Sequence, residues 1–277
     1  MQFTKNLVKT WFNRRGYTLV KTGGRQFPYV SEVIYEDEGP AFKFWIRDLG
    51  AEYSYTCSWK NHPEYYAIKR LVADRQIRHI VEVGAHHGIY TLPMSQMVGP
   101  EGCIIAYEPS PANAMALHAN LSLNGITNVE VVMKALGASA GKVDFNRNGS
   151  AVISRKETRL SEVDQIVVPV VALDDQIEGP IDLLKIDVEG FEGEVLKGCS
   201  RLLESRPCLV LEIHNPFLPA FDSSFDQIAR MAHLDEYEGF VYDNQSIDLQ
   251  HLRKWEGVAS TPQDIIVHLF LYPRSCR

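Results

Sequence analysis

Apolar residues recur along this chain at two different periods, and the change from one to the other organises it. Over residues 29–59 they alternate: Val33 and Tyr35, then Phe42, Phe44 and Ile46, then Tyr53, Tyr55, Cys57 and Trp59. "EDEGP" and "DLG" separate the runs, so this stretch predicts a small antiparallel meander. "HPEYYAIKRLVADRQ", residues 62–76, predicts a helix with Pro63 in its first turn. Upstream, Phe3, Leu7 and Trp11 fall at helical spacing among Lys5, Lys9, Arg14, Arg15, Lys21 and Arg25, with no acid before Glu32. A basic amphipathic helix there has two readings. It packs on its own domain, or it meets a membrane or an anionic substrate carrier.

From residue 79 onward near-continuous apolar runs alternate with amphipathic ones. "HIVEVG", "CIIAYE", "VEVVMKAL", "DLLKIDV" and "CLVLEIH" predict strands covered on both faces. Helices are expected around 88–98, 111–124, 191–204 and 222–233. Such alternation predicts an α/β fold with a doubly wound, largely parallel sheet. "GFVYD" and "DIIVHLFLYP" are expected to pair antiparallel at one edge. The division expected is a helix and meander extension over 1–76 and the sheet domain over 77–277.

Composition narrows the class. The 277 residues are 45% hydrophobic and 23% charged, as in ordinary globular chains. A net charge of -7 argues against a general nucleic-acid binder. No apolar run reaches transmembrane length, and the N-terminus lacks the apolar core of a signal peptide. Cys57, Cys103, Cys199, Cys208 and Cys276 are odd in number and form no CxxC pair. That pattern points to a reducing, cytoplasmic setting. Oligomeric state, a homo-oligomer included, is left open.

The chemistry begins where the first parallel strand meets its helix, at Glu82-Val83-Gly84-Ala85-His86-His87-Gly88. Glycines at such a joint let the backbone approach a ligand at a helix start. The dinucleotide fingerprint GxGxxG is absent: His86 stands where its second glycine admits a pyrophosphate. S-adenosylmethionine, which has no phosphates, does not need that clearance. Glu108 ends the second strand, 24 residues after Gly84, where an acid accepts ribose hydroxyls. It reads equally as a capping carboxylate before "PSP". His86 and His87 are expected to point apart, so that they do not chelate one ion together.

"VEVGAHHGIYT", "AYEPSPANAMALHANLSLNG" and "DLLKIDVEGFEGEVLKG" followed by "PCLVLEIH" resemble the FkbM family of S-adenosylmethionine-dependent methyltransferases over roughly residues 64–215. The most specific part is Lys185 to Gly190 with Glu192. His86 replaces the family's usual asparagine. The resemblance implies a Rossmann-like class I methyltransferase sheet and O-methylation of a hydroxyl on a saccharide or secondary metabolite, a small-molecule or glycan acceptor. It implies a cofactor site at Glu82, Gly84, Ala85, His86, Gly88 and Glu108, with Ala135, Leu136 and Asp187 beside them.

Ligands of an open parallel sheet lie outside the carboxyl ends of its strands. Asp187 and Glu189 end the fourth strand of the series; Glu212, His214 and Asn215 end the fifth. Methyl transfer needs an acceptor oxygen held in line and a group to take its proton. His214 is the first candidate base and Asp187 the alternative; a bonded core histidine and a helix cap are the plain readings of the two. Asp187, His214 and Asn215 also offer magnesium an O, N, O set for a phenolic acceptor. Histidine is an unusual magnesium ligand, and no metal is assigned. An NAD-dependent oxidoreductase and a non-catalytic binding protein remain as rivals. "LDD", residues 173–175, has no role beyond a loop or cap. The polar stretch 145–165 reads as a lid or a surface hairpin. Trp45, Tyr53, Tyr55, Trp59, Tyr65 and Tyr66 read as the meander's core or as a stacking wall for a sugar.

Overall fold

The computed structural model describes residues 28–37, 39–46, 62–146, 165–242 and 252–274. The basic N-terminal stretch, the third meander run with Tyr53, Tyr55 and Trp59, and nearly all of the 145–165 loop lie outside them. Strands β1 (Tyr29–Ile34) and β2 (Ala41–Ile46) form an antiparallel hairpin, with Val33, Tyr35, Phe42, Phe44 and Ile46 buried in alternation. Helix α1 (Pro63–Arg75) follows with Pro63 at its start, and Gln76 ends it in the left-handed conformation.

The sheet domain then runs β3 (His79–Val83), α2 (Thr91–Val98), β4 (Cys103–Tyr107), α3 (Pro111–Leu123) and β5 (Val129–Val132). Next come β6 (Ala135–Leu136), β7 (Gly141–Asn146), β8 (Gln165–Val171) and β9 (Leu183–Asp187). The remainder is α4 (Glu192–Lys197), α5 (Ser200–Glu204), β10 (Cys208–His214), α6 (Phe225–Met231), β11 (Tyr237–Tyr242), β12 (Arg253–Trp255) and β13 (Ile266–Pro273). Eight strands form one sheet in the order β12-β11-β13-β10-β9-β3-β4-β5. Strands β3, β4, β5, β9 and β10 are mutually parallel, and β13 runs against both β10 and β11. Strand order reverses between β3 and β9, which makes their carboxyl ends the switch point of a doubly wound, Rossmann-like sheet.

One expectation changes. "VEVVMKAL" breaks after Val132, and β6 leaves to join β8 and β7 in a separate three-stranded sheet. β11 and β13 pair antiparallel toward one edge, as expected, with the short β12 outermost. "LDD" is a cap, one of its two expected readings: the Asp174 carboxylate accepts hydrogen bonds from the Arg201 and Leu202 amides at the start of α5.

Both faces of the sheet are apolar at period two. Ile80, Leu183, Val210 and Phe270 face one cluster, with the hairpin, α1 and α2. Val81, Leu184, Leu209 and Leu269 face the other, with α4 to α6. The hairpin therefore shares a core with the sheet across the expected boundary at residue 76. Tyr35 stacks on Tyr65 at 5.0 Å, which places Tyr65 in that core. The backbone of β2 is held by helix α3: the Lys43 amide donates to Asn124 Oδ1 at 2.8 Å and the Trp45 amide to Asn120 Oδ1 at 2.7 Å. Asn124 Nδ2 returns a bond to the Lys43 carbonyl at 2.8 Å. Among the described residues no helix is long and apolar enough to cross a membrane.

Because Phe44 is completely buried in the shared cluster, Phe44→Ala should cost roughly 3–5 kcal/mol and leave one cooperative transition in urea unfolding. A separate early transition of the hairpin would contradict the shared core.

Candidate active site

On the face that carries α1, the same strands switch from apolar to ionisable residues as they approach the carboxyl edge. Two positions beyond Ile80, Leu183, Val210 and Phe270 in strand spacing stand Glu82, Lys185, Glu212 and, on the antiparallel neighbour, His268. Pairing sets them abreast: Glu82 opposite Lys185, Asp187 opposite Glu212, Glu212 opposite His268. The expected proximity of Asp187 and His214 follows, since β9 and β10 are neighbours.

Burial makes this row an electrostatic problem, solved by pairing. Lys185 Nζ lies 3.6 Å from both Glu82 Oε1 and Asp187 Oδ2. Burial works against the ammonium, but Asp187 and Glu82 hold its pKa above the usual value. Glu82 also accepts the Thr91 hydroxyl at 2.6 Å; burial dominates and raises its pKa. Burial and the Glu212 charge push Asp187 well above the usual carboxylate range, with Lys185 and His214 opposing them. Burial alone would raise Glu212 too, but the positive His268 and His214 beside it hold it well below that range.

His214 is almost fully buried. Its Nδ1 meets Glu192 Oε1 at 2.8 Å, and its Nε2 lies 3.4 Å from both Glu189 and Glu212. Burial lowers the His214 pKa, but hydrogen bonds to Glu192 and Glu212 outweigh it and push it up to about 11. Both His214 nitrogens thus face carboxylates, and His214 is not among the residues that line the cleft at the switch point, which speaks against the expected base role. Asn215 Nδ2 donates to the Pro262 and Ile265 carbonyls, which ties the end of β10 to the loop before β13 and leaves its Oδ1 without a hydrogen-bond partner among the described residues.

The cleft opens at the switch point, where Asp187 reaches it from this row. Gly84, Ala135, Leu136 and Asp187 line it, as expected. Tyr107, Phe145 and Phe191 add aromatic walls that the sequence reading did not single out. Phe145 reaches the cleft on β7, whose departure from the main sheet leaves no signature in apolar spacing. Gly84 has φ of 87°, and a Cβ there would stand 1.8 Å from the Asp187 carbonyl oxygen. Only glycine lets β3 pass so close to the end of β9. Gly88, at φ of 92°, instead makes room for Leu92 and Leu117. Its role is packing between α2 and α3.

The remaining expected cofactor residues stand behind the cleft. Ala85 is buried, and its amide donates to the Tyr107 carbonyl. His86 adopts a left-handed conformation, φ 50°, and this turns its ring onto His87 at 4.1 Å. The two rings thus stack, where an extended turn had them pointing apart. His87 is buried and meets Asn113 at 3.1 Å. Glu108 accepts from the His86 and Ser110 amides at 2.8 and 2.9 Å. In this arrangement its carboxylate acts as a cap and does not face the cleft.

Glu64, Glu192 and His268 belong to the site without having been assigned roles. Glu64 and Tyr90 share a hydrogen bond, and His268 Nδ1 lies 3.3 Å from Glu64 and 3.5 Å from Glu212. An ionisable residue breaking the apolar run "IIVHLFLY" was the available signal for His268. Glu192 had been quoted in its motif only.

The family model described as the methyltransferase FkbM domain matches residues 82–242. The hexuronic acid methyltransferase AglP of Haloferax volcanii is 24% identical over 219 residues, 75% of this chain and 83% of that protein. Methyltransferase 1 of Beauveria bassiana is 29% identical over 143 residues, and these span 43% of this chain and 57% of that protein. A crystal structure of an FkbM methyltransferase from Methylobacillus flagellatus KT aligns with a TM-score of 0.46 at 17% identity, over 71% of this chain and 44% of that one.

Burial pushes Glu108 up to about 7 against its backbone hydrogen bonds. A group whose pKa rises on folding stabilises the protein below its unfolded value, and that contribution is lost as pH rises through the folded one. The Glu108 contribution to unfolding free energy should therefore decline between the ordinary carboxylate value of 4.5 and about 7. Glu108→Gln should flatten this decline in urea titrations across that window; parallel curves for the two proteins would refute it.

Proposed function

The chain belongs to the FkbM methyltransferase family, and we propose that it transfers a methyl group from S-adenosylmethionine to a hydroxyl of a saccharide or secondary metabolite. The observation that carries this reading is the cleft at the switch point between β3 and β9. Tyr107, Phe145 and Phe191 give it aromatic walls, and Asp187 at the end of β9 is the acid that lines it. Tyr107, Phe145 and Phe191 suit an adenine and its ribose. Gly84 gives the cofactor's amino-acid portion access to the backbone. The similarity to a protein named for hexuronic acid methylation supports a saccharide acceptor.

The chemistry is an in-line displacement. The cofactor's sulfonium supplies the activated methyl group, so the protein's share is to align the acceptor and accept its proton. Asp187 takes that second task. It lines the cleft, whereas His214 lies beneath it with both nitrogens occupied. As the acceptor oxygen bonds to the methyl carbon, the carbon–sulfur bond breaks, the acceptor's proton passes to Asp187, and S-adenosylhomocysteine leaves.

Calorimetric titration with S-adenosylhomocysteine tests the cofactor, with NAD in parallel. Micromolar binding of the first alone is expected; NAD binding with none for S-adenosylhomocysteine would overturn the reading. With an acceptor in hand, Asp187→Asn should lower kcat about 10²–10⁴-fold and leave S-adenosylhomocysteine affinity within a few fold. Unchanged turnover would remove Asp187 from the base role.

A further inference from the structure

His214 is held in a way that taking a proton from an acceptor does not explain. We propose that Asp187, Glu212 and His214 bind a divalent transition-metal ion at the acceptor side of the cleft, with Glu192 as the residue that positions His214. The role of this ion rests on the methyl-transfer reading of the cleft; its binding does not.

Three observations carry the proposal. The first is convergence: one ligand atom from each of Asp187, Glu212 and His214 lies within 4.8 Å of the others. The register explains it. Asp187 and Glu212 are paired across β9 and β10, and His214 follows two positions on along the same face.

The second is spacing. His214 Nε2 stands 3.4 Å from Glu212 Oε1 and 3.4 Å from Glu189 Oε2. Charge-assisted N–H···O bonds are shorter, about 2.7–2.9 Å. Two ligand atoms bound at about 2.0–2.2 Å to one tetrahedral ion stand roughly 3.3–3.6 Å apart. His214 Nε2 and Glu212 Oε1 thus already stand at the separation that two ligands of one ion take. Glu212 is kept in place from its other side by His268, 3.5 Å from Oε2.

The third is support behind the imidazole. His214 Nδ1 is bonded at 2.8 Å to Oε1 of Glu192, and both side chains are almost wholly buried. The same oxygen accepts the Gly190 amide at 3.0 Å, so the turn after β9 fixes it. A carboxylate on the far nitrogen is the usual outer support of a metal-bound histidine; it sets the tautomer and aims Nε2 at the ion. The parallel stack of Phe217 on the imidazole, 5.9 Å between centroids, fixes the ring plane as well.

One imidazole and two carboxylates favour ions of the manganese-to-zinc series over magnesium. The ion takes the place of the proton on Nε2. Its open positions face the cleft through Asp187, where an acceptor hydroxyl joins as a further ligand and becomes more acidic. That proton passes to the Asp187 carboxylate oxygen that does not hold the ion. The resulting alkoxide then bonds to the methyl carbon as the carbon–sulfur bond breaks. Glu64, Glu212 and His268 form a second candidate group that shares Glu212, so the experiment must separate the two.

Protein stripped with a chelator and freed of it is titrated with Mn2+ by calorimetry and by electron paramagnetic resonance. Wild type is compared with E212Q, H214Q, E192Q, H268Q and the exposed control E178Q, and S-adenosylhomocysteine affinity is measured on the same samples. One Mn2+ per chain is expected, with nitrogen coupling in the spectrum that H214Q lacks. E192Q should weaken binding about 10–100-fold, with E212Q and H214Q weaker still. E178Q should match wild type, and H268Q should lose less than H214Q. Thermal unfolding verifies each variant; if H214Q fails to fold, E192Q and E212Q decide. A protein that binds S-adenosylhomocysteine but neither Mn2+ nor Zn2+ overturns the ion and keeps the methyl-transfer reading. Mn2+ binding lost in H268Q but kept in H214Q also overturns this assignment. Mn2+ binding with the expected pattern but no S-adenosylhomocysteine binding supports the ion and defeats the methyl-transfer reading.

Discussion

Lys185 places a full positive charge inside the sheet, in its central strand, at 3% exposure. An ammonium buried without partners would be very unfavourable, so the surroundings are constrained to supply acids. Glu82 comes from the neighbouring strand and Asp187 from two positions further along β9, each at 3.6 Å. The Tyr90 ring covers the same ammonium at 4.9 Å. Those acids then require partners of their own. Thr91 satisfies Glu82, while Asp187 extends the row toward Glu212, His214 and His268. One buried amine thus ties the end of β3 to the end of β9 at the switch point. Replacing Lys185 by an apolar residue would strand two buried carboxylates at once.

Much of this architecture was legible in apolar spacing. The parallel strands announced themselves as runs of five to seven residues with both faces covered, and "KID" placed Lys185 and Asp187 on one side. The helices fell near their expected positions, with Pro63 and Pro111 at the starts of theirs. The pairing that brings Asp187 beside Glu212 followed from the order of parallel strands. What spacing does not encode is long-range register. Nothing near Glu64 or His268 in the chain says that α1 and β13 meet over β10. The left-handed turn at His86 was likewise hidden, since a non-glycine residue at positive φ is uncommon. The reversal of the two histidine rings depends on that single dihedral angle. His214 was correctly placed at the strand end. Its charge state could not be read, because it is set by Glu189, Glu192 and Glu212 around it.

The cleft has an aromatic wall, partly from the three-stranded side sheet, and a second wall at the end of β9, where Asp187 lines it. Gly84 is where the two join. Since the Asp187 carbonyl occupies the space of a Cβ at Gly84, the two walls share a fixed backbone contact. A cofactor seated on one wall therefore has a fixed distance to groups on the other. This suits an in-line displacement, where rate depends on alignment.

The attachment of the N-terminal hairpin has a consequence for how the chain can change over time. Asn120 and Asn124, one helical turn apart, hold β2 through its backbone amides and one carbonyl, and contact none of its side chains through these bonds. Every residue except proline offers the same amide. The outward side chains of β2, Lys43 among them, are thus free to diverge without loosening the dock. The two asparagines are not, and mutational drift in this region should be lopsided, fast on the strand's outer face and slow on the helix that reads it.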